Sequence, residues 1–374
     1  KFLLSVSMLI PSNHHTNDEE PKPSRKKPIY TPQPALRQYL IDYSREIQLP
    51  LAYQDLLRFT YTTPIKDRHG KDSYWDTVSY DLHEWNDLRQ ALIRMYAILK
   101  TEGDMRFARH LDVARIDFCY FGNSQPFRIR IVNKYNDNYD HFYIKQADAN
   151  RIYGLEMEHL LSPNRMTYLT HRTTLIEEHV PGIPGDVFIR DYLHHPGTNV
   201  IRLAKEFVKF NERCFVQLLG DMRSYNFVVN MIPDIEDVQY RIRAIDFDRQ
   251  TYEGKKNSYL PQFFKENYEL VQLALRHLNR ESIAQYQAEE QTLITLRLAS
   301  SRYRMKALLD IMAKDTLAPP EKITQLREEL SQHYATPIAE KKTQSMGLLL
   351  KWQMKQRLKN SFHWLPKSKS RFND

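Results

Sequence analysis

Glycine is scarce in this chain, with only 10 in 374 residues. So low a content argues against a glycine-rich dinucleotide-binding fold and against long flexible loops. Cysteine is scarcer still, because Cys119 and Cys214 are the only two. They form no metal-binding or disulfide pattern, and both lie in apolar runs. We therefore predict two reduced thiols in the core and, from them, a reducing compartment.

The chain also lacks an apolar run long enough to cross a bilayer. Residues 2–10 form a nine-residue apolar stretch after a single lysine. This stretch could be the remnant of a signal peptide, although a small-residue cleavage site is missing. We expect a cytoplasmic protein, with a secreted one as the alternative.

Positive charge is concentrated at the C-terminal end of a chain whose net charge is +8. Residues 340–374 contain nine lysines and arginines against Glu340 and Asp374, so the rest of the chain is close to neutral. Residues 346–365 interleave these charges with Leu, Trp, Met and Phe. Three interpretations compete: a helix docked on the body, a peripheral anchor on an anionic membrane surface, or a nucleic-acid contact. The docked helix is the simplest, the membrane anchor is second, and nucleic acid is the least favoured partner.

The order of hydrophobic patterns predicts an α+β chain. Two helical stripes, ALRQYLIDYSREI and DLHEWNDLRQALIRMYAILK, precede β-rich runs at VARIDFCYF, FRIRIVNKY and HFYIKQA. One helix, two more strands and a mainly helical region follow. The predicted regions are a disordered or linker segment at 1–34, a helical extension at 35–112, a strand-rich lobe at 113–180, a helical lobe at 181–334 and a basic tail at 335–374.

Three polar residues stand out within the helical lobe. Asp221 and Asn226 are spaced Asp-x-x-x-x-Asn, and an apolar strand follows Asn226. Asp246 ends the next apolar strand. Phosphoryl transfer needs a carboxylate that orients and deprotonates a hydroxyl, and oxygen ligands that hold magnesium on the phosphates. Asp221 suits the first role, and Asn226 and Asp246 suit the second. Each residue alone would be read as a turn or cap residue, and only their combination favours this chemistry.

The segments Gly220-Asp221 and Ile245-Asp246-Phe247-Asp248 resemble those of the aminoglycoside phosphotransferase and choline kinase branch of the protein-kinase-like superfamily. They are also similar to those of the lipopolysaccharide sugar kinases. The resemblance covers roughly residues 113–300 by order of elements. It implies a bilobal protein-kinase-like fold, with a small antiparallel β-sheet lobe carrying one helix and a mainly helical C-terminal lobe. It also implies ATP and Mg²⁺ as cofactors.

The same resemblance assigns further roles to five residues. Lys145, on the third strand of the small lobe, would bind the nucleotide phosphates from the interlobe cleft, pair with Glu156 and contribute little to packing. Gly122 would belong to a turn that covers the phosphates. Backbone groups between Glu178 and Val180 would bind adenine.

Arg223 occupies the place where protein kinases carry a lysine that touches the γ-phosphate, so it is a candidate electrostatic stabiliser. A solvated loop arginine is the alternative. Leu219 departs from the pattern, because a His or Tyr usually braces the loop there. The departure favours a pseudokinase scaffold, whereas retention of the polar residues favours an active kinase.

The segment after Asp246 is short before helical pattern resumes, which favours a hydroxyl-bearing small molecule or sugar over a protein as acceptor.

Overall fold

The computed structural model describes residues 26–66, 70–235 and 238–361. Within these ranges the chain is α+β and divides into two compact units. The sheet unit contains the described residues up to 149 together with 166–179. The helical unit contains residues 150–165 and the described residues from 180 onward. The apolar run at 2–10 and the end of the basic tail lie outside the described residues.

The sheet unit is built on one antiparallel sheet whose strand order is β1-β2-β3-β4-β5-β7-β6. Its strands are β1 Tyr61–Lys66, β2 Asp72–Ser79, β3 Leu111–Phe118, β4 Phe127–Asn133, β5 Tyr139–Gln146, β6 Tyr168–His171 and β7 Thr174–Glu178. Its helices are α1 Pro34–Asp42, α2 Leu82–Thr101 and α3 Met105–Ala108. The strands from β3 onward lie where the sequence predicts them.

Alternation along these strands gives the sheet two different faces. One face contributes residues such as Ile129 and Phe142 to a core with the apolar stripe of α2. The other face carries polar and aromatic side chains, and the Arg128 guanidinium lies 4.5 Å from the centre of the Trp75 ring. Lys145 belongs to this second face, two residues after Tyr143.

The expected helical extension at 35–112 also contains β1 and β2, which the sequence prediction missed. Pro64 lies in β1, at the edge of the sheet, where a residue without an N–H is tolerated. The expected linker is likewise ordered in its described part, because Ala149 N donates to Tyr30 O at 2.7 Å.

The helical unit holds a small sheet of order β10-β9-β8 among its helices. Its strands are β8 Ile183–Pro184, β9 Phe227–Pro233 and β10 Val238–Ala244. The helix α4, Ala149–Leu161, enters this unit at Asn150. The other helices are α5 Gly185–Asp191, α6 Val200–Gln217, α7 Tyr268–His277, α8 Arg280–Ser300, α9 Arg302–Met312, α10 Pro320–Tyr334 and α11 Met346–Leu358.

The basic segment forms α11 and packs into the helical unit. Gln353 is fully buried and donates to Phe215 O at 3.0 Å. Arg357 makes two hydrogen bonds of 2.6 Å to the carboxylate of Glu212. The docked-helix interpretation therefore holds for 346–358. Among the described residues, no helix combines the length and apolarity needed to cross a membrane.

Candidate functional site

The β9–β10 hairpin brings Asn226 and Asp246 to the same end of the small sheet. Phe227, which begins β9, pairs with Ala244, which ends β10. One step further, Ile245 N donates to Asn226 O at 3.0 Å. Asn226 and Asp246 are therefore neighbours across the open end of the hairpin, although 19 residues of sequence separate them. The convergence of their side-chain oxygens on a magnesium ion stays a prediction.

The loop that carries Asp221 is held by backbone contacts. Asp221 has a φ of 60°, in the left-handed region that aspartate and asparagine tolerate better than most residues. Its N–H donates to Ser258 O at 3.0 Å. Gly220 precedes it, and a Cβ there would lie 3.0 Å from Arg249 O, which leaves little room for a side chain. The sequence around Asp221 thus suits a tight, strained turn.

Asn226 and Asp221 are tied together within this loop. The Asn226 amide Nδ2 donates to Asp221 O at 2.7 Å. This bond uses one of the two N–H donors of the amide, whose oxygen, Oδ1, can act only as an acceptor.

Arg223 links two carboxylates at the site. Its Nε donates to Asp221 Oδ1 at 2.9 Å, and its Nη1 donates to Glu266 Oε1 at 2.7 Å. Burial lowers the pKa of this guanidinium, but the hydrogen bond and the charge of Asp221 outweigh burial and raise it. Arg223 is therefore an ordered cation beside the expected catalytic carboxylate, and the alternative of a solvated loop arginine does not describe it.

Leu219, where the resemblance expects a bracing His or Tyr, is buried with 2% of its surface exposed. It forms an isolated β-bridge with Gln250. On the other side of Asp221, Met222 O accepts a 2.9 Å hydrogen bond from the buried amide of Asn267. Backbone and amide contacts therefore brace the loop in the absence of a polar side chain at Leu219.

Arg151, which the sequence prediction missed, joins the site from α4. Its Nη1 donates to Asp246 Oδ1 at 2.9 Å and to Asp248 Oδ1 at 2.8 Å, and its Nη2 donates to Ile245 O at 3.2 Å. The Arg151 side chain is 2% exposed, whereas that of Asp246 is 32% exposed. Arg151 therefore binds the segment after β10 from the buried side, and part of the Asp246 side chain remains accessible to solvent.

Lys145 lies in the sheet unit and is ion-paired there. Its Nζ donates to Glu177 Oε2 at 2.8 Å, and the two side chains are 8% and 2% exposed. Lys145 therefore neutralises a buried carboxylate on the neighbouring strand, and the expectation that its side chain contributes little to packing stays a prediction.

Glu156 and Glu158 point into different surroundings in the helical unit, as their spacing on a helix predicts. Glu156 accepts a 2.6 Å hydrogen bond from Arg304 Nε. Burial raises the pKa of Glu158, and a hydrogen bond from Ser162 and the charge of Arg213 oppose that rise. The pairing of Lys145 with Glu156 would join the two units and stays a prediction.

The turn that contains Gly122 connects β3 to β4. Burial raises the pKa of the Cys119 thiol, and hydrogen bonds from the backbone N–H groups of Gly122 and Phe121 partly offset that rise. These two amides are thus directed at the thiol sulfur. The expectation that amides of this turn face phosphate must therefore rest on other residues of the turn.

The expected adenine-binding stretch ends the sheet unit at β7. Glu178 N donates to Thr167 O at 3.0 Å, and Glu178 Oε1 accepts from Thr167 N at 2.7 Å. The N–H of Glu178 is therefore occupied by the sheet. Val180, the first residue of the helical unit after β7, is buried.

The donor set at the hairpin end fits magnesium. Mg²⁺ prefers oxygen ligands and commonly takes one or two from protein, with water and phosphate completing its shell. Asn226 Oδ1 and the accessible side of Asp246 are oxygens of this kind. In the part of the chain that the structure describes, no three His, Cys, Asp or Glu side chains cluster as a metal site. A closed structural site of the zinc type is thus not found among these residues.

No protein-family model matches this chain. A search of curated proteins likewise finds no match.

Proposed function

We propose that this protein is an ATP- and Mg²⁺-dependent phosphotransferase that transfers the γ-phosphate to a hydroxyl of a small molecule or sugar. The observation that supports it most directly is the meeting of three groups: Asp221 on its strained loop, and Asn226 and Asp246 at the open end of the β9–β10 hairpin. The bond between Asn226 Nδ2 and Asp221 O joins the loop to the hairpin at 2.7 Å. A bilobal kinase-like arrangement is part of this proposal.

Each of these groups has a defined task in the proposed reaction. Asp221 orients the acceptor hydroxyl and takes its proton late in the transfer. Arg223 keeps the Asp221 carboxylate in place and supplies positive charge where the transferred phosphoryl group develops its own charge. Asn226 and Asp246 offer oxygen ligands to Mg²⁺, which would neutralise phosphate charge when bound. Lys145 would contact the nucleotide phosphates from the sheet unit.

A kinase-shaped scaffold that binds nucleotide without turnover is the second candidate. The contact that favours it is the bond between Arg151 and Asp246, because this carboxylate already has a cationic partner. Leu219, in place of the His or Tyr that usually braces the loop, also favours the scaffold. A kinase that acts on protein is a further alternative, disfavoured by the short segment that follows Asp246.

The proposal is tested with the wild-type chain. We expect MgATP to raise its melting temperature, since a ligand that binds only the folded state stabilises it by mass action. ATP turnover is then measured against sugars, aminoalcohols and generic protein substrates. Turnover with a hydroxyl-bearing small molecule supports the proposal. Stabilisation without turnover on any acceptor supports the scaffold instead, and the absence of both refutes nucleotide chemistry.

A further inference from the structure

The segment that precedes α1 is attached to the turn between β3 and β4. Lys27 N donates to Asn123 Oδ1 at 3.0 Å, and Lys26 Nζ donates to Tyr120 O at 3.1 Å. Both contacts lie within the sheet unit. The side chain of Asn123 is thus committed to a backbone 96 residues earlier in the chain. The turn is held from outside by residues remote in sequence.

The same segment is attached a second time where β5 leads into α4. Lys27 Nζ lies 2.5 Å from Asp148 Oδ2, and the two side chains are 1% and 4% exposed. Tyr30 N donates to the same carboxylate oxygen at 3.3 Å. Tyr30 O accepts from Ala149 N at 2.7 Å. A buried ion pair and two backbone contacts thus fix the second attachment.

The two attachment points lie at or beside elements that the resemblance to kinases assigns to nucleotide. The first attachment point is the turn that contains Gly122, and the second begins three residues after Lys145. A hydrogen bond from Gln146 N to Ser124 O, at 3.4 Å, joins the turn to β5 directly. The turn has one glycine and is therefore less able than a glycine-rich loop to mould itself around a ligand. Its position must be set by its surroundings.

We propose that residues 26–30 form a clamp that positions the β3–β4 turn for nucleotide. This inference rests on the proposed function for its ligand, whereas the clamp itself rests on the contacts above. Asn123 and Lys27 are positioning residues, since neither is assigned to the reacting atoms. Breaking the clamp should loosen the turn and weaken ATP binding, while the reaction of bound ATP continues at its usual rate.

The test is Asn123→Ala in the full chain, because this change removes one side-chain hydrogen bond and leaves the buried ion pair intact. Hydrogen–deuterium exchange of residues 120–125, measured without nucleotide, should become about five-fold faster. The KM for ATP should rise about three- to ten-fold with kcat unchanged, since the lost contact affects binding and not the chemical step. Asn136→Ala is the matched control, because Asn136 lies in the β4–β5 turn and its side chain accepts a local hydrogen bond from Asn138 N at 3.1 Å.

Faster exchange together with a raised KM supports the inference. Exchange equal to that of the wild type overturns the clamp, and faster exchange with an unchanged KM overturns its role in nucleotide binding. If the wild-type chain binds no nucleotide, the proposed function fails, and exchange alone still decides whether residues 26–30 hold the turn. A second variant, Asp148→Asn, weakens the other attachment and should also accelerate exchange in the turn.

Discussion

Two ion pairs, one in each unit, hold candidate functional groups in different ways. In the sheet unit, Lys145 and Glu177 are buried together on neighbouring strands, at 8% and 2% exposure. In the helical unit, Arg151 is buried while its partner Asp246 keeps 32% of its side chain exposed. In the first pair both side chains are shielded from solvent. In the second pair only the arginine is shielded, and the carboxylate is partly exposed.

This difference in exposure indicates which of the two pairs a ligand could contact without first breaking a buried ion pair. Asp246 keeps part of its side chain accessible although Arg151 binds it, so under the proposed function a metal could approach Asp246 with this ion pair in place. Lys145 can reach a phosphate only by sharing a charge that Glu177 already uses. We therefore expect changes at the helical-unit site to affect chemistry, and changes at the Lys145–Glu177 pair to affect stability as well.

The largest expected effect is at Asp221. Asp221→Asn keeps the shape and tolerates the φ of 60°, but the amide cannot take a proton. Turnover should fall by about two to four orders of magnitude with ATP affinity nearly unchanged. Steady-state kinetics and nucleotide titration provide the two measurements.

Asp137→Asn is the control for Asp221→Asn. Asp137 also has a left-handed backbone, with a φ of 55°, and lies exposed in the β4–β5 turn. This variant should retain full turnover. Wild-type turnover in Asp221→Asn itself would refute the catalytic assignment, and absence of turnover in both wild type and variant would favour the scaffold.

The next effect is on stability at the sheet-unit pair. Lys145→Met leaves the Glu177 carboxylate buried without this cation, so unfolding free energy should fall by about 3–5 kcal/mol. Urea denaturation measures the loss. The double variant with Glu177→Gln should recover a large part of it, because no full charge then remains buried. Arg58→Met, which breaks an exposed pair with Asp55, should cost under about 1 kcal/mol.

Equal losses of unfolding free energy in Lys145→Met and Arg58→Met would contradict the interpretation that burial makes the sheet-unit pair costly to break. A large loss that Glu177→Gln does not reduce would assign the cost to packing of the lysine stem and not to its charge.

The smallest expected effect is the pH dependence that His141 gives the sheet unit. Burial, aided by the positive charge of Arg128, lowers its pKa to about 4. Between pH 6.5 and 4 the unfolded chain takes up a proton that the folded chain refuses, so stability falls as pH is lowered. Allowing for partial solvation, the loss should be about 1–2 kcal/mol.

His141→Gln should flatten this dependence when urea denaturation is compared at pH 7 and pH 5. His83→Gln, at an exposed position on α2, should leave it as in the wild type. A dependence that persists in His141→Gln would assign it to other groups.

Sequence pattern predicted β3 to β7, β9 and β10 well because each has a strong local signal, whereas the two-residue strand β8 lies in a segment that suggested a turn. Alternating apolar residues mark the strands, and the Asp-x-x-x-x-Asn spacing marks the loop before β9. By contrast, β1 and β2 give weak signals, since β1 is largely exposed and contains Pro64, and β2 is mostly half-buried or exposed. Two strands at the edge of a sheet form because they pair with the neighbouring strand, and their own composition predicts them poorly.

Sequence could not supply the partners of the predicted residues. Arg151 and Asp246 lie 95 residues apart, and no spacing rule relates them. Glu177 meets Lys145 because β7 pairs with β5, a register that only the folded sheet fixes. The available signal was an arginine beside apolar residues in the helix after β5. The structure buries Arg151, and a buried arginine requires carboxylate or carbonyl partners.

The contact between Lys27 and Asp148 joins residues that are 121 positions apart in the sequence. This separation bears on when the contact forms during folding. Closing so large a loop is entropically costly, so this contact should form after the sheet has assembled. Interactions absent from the folding transition state mainly slow unfolding. The segment at residues 26–30 should therefore act on the lifetime of the native sheet unit, with little influence on how fast that unit folds.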